Sequence, residues 1–348
     1  MAPGALEMAA AGIARDFSAS QKIVVSDGRV ARLYGARFLR LLAREGAPAT
    51  LLSFPAGERW KTRETKARLE DRLVRLGAGR DTLIVALGGG VTGDLAGFLA
   101  ATWQRGVPWV TIPTTLLAMV DAGLGGKTAV DIPGGKNLVG AFHQPRALWA
   151  DVAVLRTLPD RVYRAGLAEV VKTAVALDAT LFRRLESEAG PLAARDEFVV
   201  SRIVARCLAL KGRVVAADER EHGLRAALNF GHTAAHAIEA ASDYRVPHGQ
   251  AVAIGCVAET RLAERLTGFP RAEADRIEAL FRRFGLPVTP PKGLERNRLA
   301  AAMRRDKKSR AGVSRASLPE RIGRMPKGDD PTSSIDPARD LLPFLAPN

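Results

Sequence analysis

Cysteine is scarce in this sequence, since only Cys207 and Cys256 occur among 348 residues. Each lies in an apolar helical pattern, so we expect two buried thiols and no disulfide framework, which is typical of a reducing compartment. Long apolar runs are also missing, because no stretch reaches the roughly 20 uncharged apolar residues that span a bilayer. The N-terminus lacks the basic start and the following apolar run of a secretory signal. We therefore expect a cytoplasmic protein without a membrane segment.

Aromatic and acidic residues are both few compared with basic ones. Aromatic side chains make up 5% of the sequence, and 52 lysines and arginines against 37 aspartates and glutamates give a formal net charge of +15. Hydrophobic residues at 47% and charged residues at 26% are close to the averages for folded globular proteins, which excludes disordered and fibrous classes. The positive charge favours an anionic partner, such as a nucleic acid, an acidic membrane surface or a phosphorylated metabolite.

The first half of the sequence alternates short apolar runs with amphipathic stretches. The apolar runs predict strands at 22–26, 50–54, 81–87 and 109–112, and the amphipathic stretches predict helices at 30–44 and 62–76. Such alternation is typical of an α/β domain with a Rossmann-like parallel sheet, whose ligands bind at the carboxyl ends of the strands. From Arg161 onward the periodicity is helical, which predicts an all-α C-terminal domain. We expect domains at 1–158 and 159–348.

A glycine-rich turn follows the third predicted strand. Gly88, Gly90 and Gly93 match the G-x-G-x-x-G pattern of dinucleotide-binding loops, in the strand–turn–helix context that this pattern requires. The acidic residue usually found about 20 positions later is missing, because Pro113-Thr-Thr stands there. The turn therefore indicates either nucleotide binding or a tight turn that needs glycine for its backbone angles.

A second glycine-rich stretch covers residues 121–137 and contains two Gly-Gly-Lys units. Gly126-Lys127-Thr128 resembles the end of a P-loop, but Asp121 stands where the first glycine of that motif belongs, so Walker-type ATP binding is disfavoured. The two units place Lys127 and Lys136 on flexible backbone, an arrangement that can grip a phosphate or a carboxylate. The alternative is a pair of solvated loop lysines.

Histidines concentrate in one part of the second half, where His232, His236 and His248 account for three of the five. His232 and His236 share one face of a predicted helix, and imidazoles on a helix face with further ligands build zinc sites. Glu169, on an apolar helix, could supply a carboxylate ligand. Thr233 replaces the glutamate of H-E-x-x-H, which disfavours a metalloprotease. The cluster favours a metal site over histidines packed in a core.

Short motifs of distinctive composition are spread along the chain from about residue 22 to residue 324. They are Gly88-Gly-Gly-Val-Thr-Gly-Asp94, Pro113-Thr-Thr-Leu-Leu, Gly125-Gly-Lys-Thr-Ala-Val-Asp, Gly135-Lys-Asn, Gly166-Leu-Ala-Glu-Val-Val-Lys, Glu219-Arg-Glu, Leu228-Asn-Phe-Gly-His-Thr, His236-Ala-Ile-Glu, His248-Gly and Asp306-Lys-Lys. In this order and spacing the set resembles the 3-dehydroquinate synthases, a family of sugar phosphate cyclases.

The resemblance implies a homodimeric lyase of the shikimate pathway, in aromatic amino acid biosynthesis. Such an enzyme converts 3-deoxy-D-arabino-heptulosonate 7-phosphate to 3-dehydroquinate and phosphate, with NAD used catalytically and a divalent metal, zinc or cobalt. The basic residues would then bind the carboxylate and the phosphate of the substrate. In this interpretation domain 1–158 binds NAD, and domain 159–348 binds metal and substrate.

The resemblance also implies site residues by motif position. The metal ligands would be Glu169, His232 and His248, so that His236 faces the substrate and handles protons. The substrate-binding and catalytic residues would be Lys127, Asn137, Lys172, Lys211, Arg225, Asn229, His236, one of Lys307 and Lys308, and Arg105 of the partner subunit, with Asp121 and Glu221 in the polar network. The NAD-binding residues would be Asp27, Glu58, Lys61, Gly88, Gly89, Gly90, Asp94, Thr114, Thr115, Lys127, Lys136 and Thr157. Arg29 stands where relatives often carry Asn, at a ribose contact.

Three other functions fit parts of the pattern. A different sugar phosphate cyclase would share the motifs, but residues 135–137 and 225–229 favour the dehydroquinate enzyme. A metal-dependent polyol dehydrogenase shares the glycine loop but lacks the many phosphate-binding lysines, and it would release free NADH. The basic run at 303–308 suggests a nucleic-acid-binding protein, which the low aromatic content and the missing recognition motif disfavour.

Overall fold

The computed structural model describes residues 4–17, 21–304, 314–326, 328 and 330–345. The chain divides into two compact units, Met1–Pro159 and Asp160–Asn348. The first unit carries a parallel sheet and a β-hairpin, whereas the second is built largely from helices.

A four-stranded parallel sheet forms the centre of the first unit. Its strands are β1 (Lys22–Asp27), β2 (Ala49–Phe54), β3 (Leu83–Gly88) and β4 (Trp109–Pro113), in the spatial order β2-β1-β3-β4. Lys22 pairs with Ala49 on one side and with Leu83 on the other, and Ile84 pairs with Trp109. Every residue of β3 and β4 is buried, because helices and loops cover both faces of a parallel sheet. The predicted Rossmann-like parallel sheet is confirmed.

Helices alternate with these strands. They are α1 (Ala5–Asp16), α2 (Gly28–Val30), α3 (Ala36–Arg44), α4 (Arg63–Arg75) and α5 (Gly90–Thr102). A π-helical turn, Ala31–Gly35, joins α2 to α3 and interrupts the helix predicted at 30–44. Thr62 Oγ1 accepts a hydrogen bond from the Thr65 backbone N–H and thereby starts α4 close to its predicted position.

An apolar cluster of the first unit lies between the sheet and two of these helices. Leu69 of α4 and Leu95 of α5 belong to the same buried cluster as Ile84 of β3. Helix α5 approaches the sheet closely at Gly97, where a Cβ atom would lie 3.0 Å from the Trp109 ring. This contact holds α5, and with it the glycine-rich turn that precedes it, against the sheet.

A β-hairpin takes up the second glycine-rich stretch. Its strands β5 (Lys127–Ile132) and β6 (Gly135–Phe142) are antiparallel, with Lys127 opposite Phe142. The expectation of flexible backbone under Lys127 and Lys136 is therefore wrong, because both lysines stand in paired strands. The strands pair closely at Gly140 of β6, where a Cβ atom would lie 2.0 Å from the Thr128 carbonyl oxygen.

Helices dominate the second unit, as predicted from Arg161 onward. They are α6 (Asp160–Leu177), α7 (Ala179–Ser187), α8 (Ala189–Ala193), α9 (Glu197–Ala217), α10 (His232–Ala241), α11 (His248–Leu266), α12 (Arg271–Arg283), α13 (Arg296–Arg304), α14 (Pro337–Asp340) and α15 (Leu342–Leu345). Two short antiparallel strands, β7 (Ser314–Ser317) and β8 (Thr332–Ile335), are added to the predicted helical domain. They escaped prediction because four residues rich in serine and threonine show no apolar alternation.

Glycines let α11 approach two neighbouring segments of the second unit. A Cβ atom at Gly249 would lie 2.2 Å from the Ala165 carbonyl oxygen of α6, and one at Gly255 would lie 2.0 Å from the carbonyl oxygen of Gly231, which precedes α10. Helix α11 therefore packs with direct backbone contacts against α6 and against the turn before α10. Such close packing leaves these segments little room to shift relative to one another.

The structure bears on two expectations drawn from the sequence, those about the two cysteines and about apolar helices. Cys207 in α9 and Cys256 in α11 are buried thiols that form no disulfide, which confirms the expectation of buried thiols. Across the described part of the chain, no helix combines the length and the apolar composition that crossing a membrane requires.

Replacing Gly140 by alanine should destabilise the β5–β6 hairpin, because the added Cβ atom would press against backbone that cannot rotate away. Overpacking of this kind lowers the free energy of unfolding by about 1–3 kcal/mol, and we expect the upper end of that range. Urea unfolding followed by circular dichroism measures the loss. Gly134→Ala is the matched control, since a Cβ atom there has only Ile132 Cδ1 nearby, at 3.9 Å. Equal losses in the two variants would contradict the close pairing.

Candidate functional site

Three potential metal ligands meet in the second unit although they come from three helices. Glu169 lies in the middle of α6, whereas His232 and His248 are the first residues of α10 and α11. One oxygen of Glu169 and one ring nitrogen of each histidine all lie within 4.8 Å of one another. His248 Nε2 is 3.2 Å and His232 Nε2 is 3.7 Å from Glu169 Oε1. Such a set of one carboxylate and two imidazoles suits a divalent transition metal.

A second carboxylate supports His248 from its other side. Glu239 Oε2, in α10, lies 3.4 Å from His248 Nδ1, so the imidazole is held between Glu239 and Glu169. Burial alone would lower the pKa of His248, but the hydrogen bonds with the two carboxylates outweigh it and raise that pKa to about 10. The two carboxylates therefore favour positive charge at this point of the structure.

Lys172 lies beside Glu169 on the same face of α6, as their three-residue spacing indicates. The ammonium nitrogen of Lys172 is 2.6 Å from Glu169 Oε2, and both side chains are almost completely buried. A buried carboxylate keeps its charge only when cationic or hydrogen-bonding partners surround it. Lys172 is such a partner for Glu169.

His236 stands next to this group but contributes no ligand atom to it. Its ring is 5.5 Å from the ring of His232, with the two planes almost perpendicular. The structure groups the three residues that the family resemblance implies, Glu169, His232 and His248, and not the pair of His232 and His236 that helix spacing alone suggested. The physical reason is that the start of α11 brings His248 to Glu169 from a loop that helix periodicity does not describe.

The loop between α9 and α10 is organised by Asp218. Asp218 Oδ1 accepts the His222 N–H at 2.9 Å, and Oδ2 accepts the Gly223 and Arg225 N–H groups at 2.9 and 3.0 Å. Although partial burial opposes the charge, these backbone donors lower the pKa of Asp218 to about 2. A permanently charged carboxylate thus closes the loop that carries several predicted substrate residues.

Within this loop the predicted residues Glu221, Arg225 and Asn229 have defined contacts. Asn229 donates a hydrogen bond from Nδ2 to Glu221 Oε1, and the buried Arg225 donates from Nη1 to the Glu219 carbonyl oxygen. Glu221 and Asn229 line a pocket of about 240 Å³, which Arg315 of β7 also lines. A polar pocket therefore borders two predicted substrate residues.

Two further substrate residues were predicted for the second unit. Lys211 lies in α9 and is 7% exposed. Lys307 and Lys308 lie outside the described residues.

The glycine-rich turn of the first unit lies at the carboxyl end of β3, and α5 begins at Gly90. A Cβ atom at Gly88 would lie 2.3 Å from Thr92 Oγ1, and one at Gly89 would lie 2.9 Å from Thr115 Cγ2, so neither position has room for a side chain. The N-terminal N–H groups of α5 follow directly after this turn, in the arrangement that binds phosphate groups in other proteins.

The ends of the neighbouring strands bring further predicted NAD residues to this edge of the sheet. Asp27 ends β1, and its Oδ1 accepts the backbone N–H groups of Arg29 and Val30 at 2.9 and 3.1 Å. Thr114 follows β4 and donates its backbone N–H to the Gly88 carbonyl oxygen at 2.9 Å. The Thr114 hydroxyl oxygen is buried and has no hydrogen-bond partner among the described residues, which is unusual for a buried polar group and marks a position where a ligand atom can bind.

Lys61 links predicted NAD residues with a predicted substrate residue. Its Nζ atom is 2.8 Å from Asp94 Oδ2 and 3.5 Å from Glu58 Oε1, and it also donates to Asn137 Oδ1. Burial opposes the charge, but the carboxylates of Asp94 and Glu58 outweigh it and raise the pKa of Lys61. Asn137 has a left-handed backbone with φ 55°, and Asp131 Oδ1 accepts its N–H at 2.9 Å. One buried ammonium group therefore connects the hairpin with the helix that follows the glycine turn.

The other predicted residues of the first unit lie in turns or in the hairpin. Asp121 lies in a π-helical turn, and Thr157 ends a 3-10 turn where its Oγ1 is 2.6 Å from Tyr34 Oη. Lys136 Nζ, in β6, lies at the edge of the Lys61 cluster, 4.0 Å from Glu58 Oε1. Arg105 is exposed in a turn with a left-handed φ of 69°.

Sequence reasoning missed three carboxylates that organise these contacts, namely Glu239, Asp218 and Asp131. Glu239 had a readable signal, because it stands seven residues after His232, two turns along the same face of α10. Asp218 had none, since it accepts hydrogen bonds from loop backbone, and residue types do not predict the course of a loop. Asp131 ends the motif Gly125-Gly-Lys-Thr-Ala-Val-Asp, but its hydrogen bond with the Asn137 N–H depends on how β5 and β6 pair.

Comparisons with known proteins agree with this geometry. The chain matches the family descriptions "3-dehydroquinate synthase N-terminal" over residues 51–165 and "3-dehydroquinate synthase C-terminal" over residues 166–309. It is 50% identical over 303 residues to the 3-dehydroquinate synthase of Pelobacter propionicus, which covers 86% of this chain and 84% of that protein.

Two solved structures share the fold. One is 2-deoxy-scyllo-inosose synthase complexed with carbaglucose-6-phosphate, NAD+ and Co2+, with a TM-score of 0.87 and 28% identity over 96% of this chain and 92% of that chain. The other is 2-epi-5-epi-valiolone synthase from Streptomyces hygroscopicus subsp. jinggangensis with NAD+ and Zn2+ bound, with a TM-score of 0.86 and 29% identity over 99% of this chain and 94% of that chain.

Replacing Asp218 by asparagine should destabilise the loop between α9 and α10 and change how the stability depends on pH. A carboxyl group whose pKa is lowered by folding to about 2 contributes stability above its unfolded pKa of about 4, and this contribution is lost as the pH falls towards 2. We expect Asp218→Asn to melt at a lower temperature than the unsubstituted chain near neutral pH, with the difference shrinking as the pH falls from about 4. Calorimetry over this pH range measures both.

The exposed Asp71 provides the control for this experiment. Asp71→Asn should leave the melting temperature and its pH dependence almost unchanged. Parallel melting curves for Asp218→Asn and the unsubstituted chain at every pH would contradict the assigned role of Asp218.

Proposed function

Because this chain belongs to the 3-dehydroquinate synthase family, we propose that it converts 3-deoxy-D-arabino-heptulosonate 7-phosphate to 3-dehydroquinate and phosphate in the shikimate pathway. It acts as a carbon–oxygen lyase that uses NAD catalytically and one divalent ion, zinc or cobalt. The observation that carries the proposal is the group of Glu169, His232 and His248, gathered around a fully buried carboxylate, in a chain that is 50% identical to a 3-dehydroquinate synthase.

The chemistry of the ligand group supports a divalent ion in domain 159–348. Glu169, His232 and His248 would hold it, because carboxylate and neutral imidazole are ligands that zinc and cobalt accept. Glu239 would orient His248 through Nδ1, as outer carboxylates commonly do for metal-bound histidines.

The glycine turn supports a dinucleotide in domain 1–158. No side chain at Gly88, Gly89 or Gly90 separates a pyrophosphate from the N-terminus of α5. The buried Thr114 hydroxyl offers a hydrogen bond that no other residue in the described part of the chain uses. The remaining contacts would come from Asp27, Glu58, Lys61, Asp94, Thr115, Lys127, Lys136 and Thr157.

Buried cations of the second unit support an anionic substrate. Lys172, Lys211 and Arg225 are each at most 7% exposed, and buried cations are strong partners for a molecule with a carboxylate and a phosphate. Asn229 and Glu221, which hydrogen bond to each other, would orient substrate hydroxyl groups. Lys127, Asn137, Asp121 and one of Lys307 and Lys308 would complete the substrate contacts.

We also propose that the enzyme is a cytoplasmic homodimer in which Arg105 of the partner subunit contacts the substrate. The family resemblance supports this, and so does the turn of residues 104–106. Gln104, Arg105 and Gly106 have φ angles of 49°, 69° and 120°, and all three are exposed. Two non-glycine residues in the left-handed region cost free energy, which is understandable when the turn presents a functional arginine.

His236 is the proposed proton-transfer residue. When bound, the divalent ion supplies Lewis acidity at a substrate hydroxyl group and NAD supplies a reversible acceptor of hydride, so the side chains must bind the anions and move protons. His236 lies 5.5 Å from His232, ring to ring, and is not one of the three ligands. An imidazole beside the ligand group can take up and release a proton at a ring nitrogen near pH 7.

A different sugar phosphate cyclase is the second candidate. It is supported by the similarity to 2-deoxy-scyllo-inosose synthase, but the 28% identity is well below the 50% shared with a 3-dehydroquinate synthase. Assays with the heptulosonate phosphate, glucose 6-phosphate and sedoheptulose 7-phosphate side by side distinguish the two candidates.

Phosphate release tests the proposed reaction. The purified protein, freed of metal by a chelator, should release phosphate from 3-deoxy-D-arabino-heptulosonate 7-phosphate only when both Co2+ and NAD are added. No NADH should accumulate, because the conversion of this substrate to 3-dehydroquinate and phosphate involves no net oxidation. Net formation of NADH would indicate the polyol dehydrogenase instead, and release without added metal after complete chelation would contradict the metal centre.

The variants His236→Ala and His232→Ala separate proton transfer from metal binding. Loss of a general acid–base group lowers kcat by about 100-fold or more, so we expect this loss for His236→Ala while its Kd for Co2+ stays close to that of the unsubstituted enzyme. His232→Ala should weaken Co2+ binding, because it removes a ligand. Calorimetric titration with Co2+ and a phosphate-release assay measure the two effects. Full turnover of His236→Ala would contradict the proton-transfer role.

A further inference from the structure

A buried carboxylate away from the ligand group makes an unusual contact with the start of α10. Glu259 lies in α11 with none of its surface exposed. Its Oε2 accepts the backbone N–H of Gly231 at 2.7 Å, and its Oε1 accepts the backbone N–H of Ala234 at 3.0 Å. Both oxygens are therefore used by one turn of a different segment.

This contact does the work that a local capping residue does in most helices. The first N–H groups of a helix have no partner within the helix, and a side chain just before it usually accepts one of them. Gly231, with a left-handed φ of 81°, stands in that position before α10 and has no side chain to offer. Glu259 supplies the missing acceptors from α11.

The turn cannot easily move away from Glu259. A Cβ atom at Gly231 would lie 2.4 Å from Cys256 Sγ, and one at Gly255 would lie 2.0 Å from the Gly231 carbonyl oxygen. Backbone therefore packs directly on backbone where the turn meets α11. Two hydrogen bonds to a buried charge add a directional restraint to this close packing.

The restrained turn carries one predicted metal ligand, and the helix that restrains it carries another. His232 follows Gly231 directly, and His248 is the first residue of α11. Glu259 stands eleven residues after His248, about three helical turns along the same face of α11. We infer that Glu259 is a positioning residue, which holds the backbone before His232 against α11 and thereby sets the separation of the His232 and His248 imidazoles.

This role rests on the proposed metal centre, but it makes a separate prediction. Glu259→Gln keeps the size of the side chain and one acceptor oxygen, but it turns an NH₂ group towards a backbone N–H donor. The turn should therefore shift while the helix still folds. Loss of outer contacts to metal ligands typically weakens metal binding by about 10- to 100-fold, and we expect an effect in this range for Co2+.

The test compares Glu259→Gln with Asp178→Asn in the full-length protein. Asp178 is the matched control, because it is also a mostly buried carboxylate that accepts two backbone N–H groups at a helix start, those of Thr180 and Leu181, and it is not a metal ligand. Titration of the metal-free proteins with Co2+ gives Kd, the visible absorption bands of the Co2+ complex report ligand geometry, and the melting temperature of the metal-free form reports stability.

We expect both variants to melt earlier, but only Glu259→Gln to bind Co2+ at least about tenfold more weakly and to show altered absorption bands. The inference is overturned when Glu259→Gln melts earlier and keeps the Kd and the spectrum of the unsubstituted protein, because Glu259 would then serve stability alone. An unsubstituted protein that binds no Co2+ overturns the inference together with the metal centre. A protein that binds Co2+ but releases no phosphate contradicts only the proposed reaction, and the comparison of Kd values still decides the role of Glu259.

Discussion

The second unit depends on keeping one fully buried carboxylate charged. Glu169 lies inside α6, where an isolated charge would cost several kcal/mol, so its surroundings must supply positive or hydrogen-bonding partners. Lys172 supplies one from the same helix, and His232 and His248 supply two more from the starts of α10 and α11. The close backbone packing of these helices is what brings the partners within reach. A group of this composition is electrostatically prepared for a divalent cation.

Three further carboxylates, those of Glu239, Glu259 and Asp218, position residues that the helix packing brings together. Glu239 contacts the far side of the His248 ring, and Glu259 accepts backbone N–H groups on either side of His232, those of Gly231 and Ala234. Asp218 closes the loop that presents Arg225. In all three cases a carboxylate accepts hydrogen bonds that fix the position of another residue. Acidic residues therefore organise these contacts, although the net charge of the chain is +15.

In the first unit, the important feature is accessible backbone at the carboxyl edge of the sheet. Parallel strands end at one edge, and there the glycines after β3 remove side chains from the N-terminus of α5. The same edge receives Asp27 from β1 and Thr114 from β4 because all strands run in one direction. Lys61 forms an ion pair with Asp94 and a hydrogen bond with the β-hairpin residue Asn137, so a buried ammonium group links the hairpin to the helix that follows the glycine turn.

Local sequence determined what depends on neighbours along the chain: the four apolar strands, the glycine turn between β3 and α5, the helical character from residue 161 onward and the three-residue spacing of Glu169 and Lys172. Family motifs added the residues expected to bind metal, NAD and substrate. For the ligand group, family motifs named His248 and the tertiary structure shows how it reaches Glu169. The tertiary structure alone decided why Lys127 and Lys136 stand in paired strands, and where Asp218, Glu239 and Glu259 direct their oxygens. These contacts join helix starts and loops that are distant in sequence. Their geometry depends on how closely the backbones pack, and the periodicity of the residues contains no information about that packing.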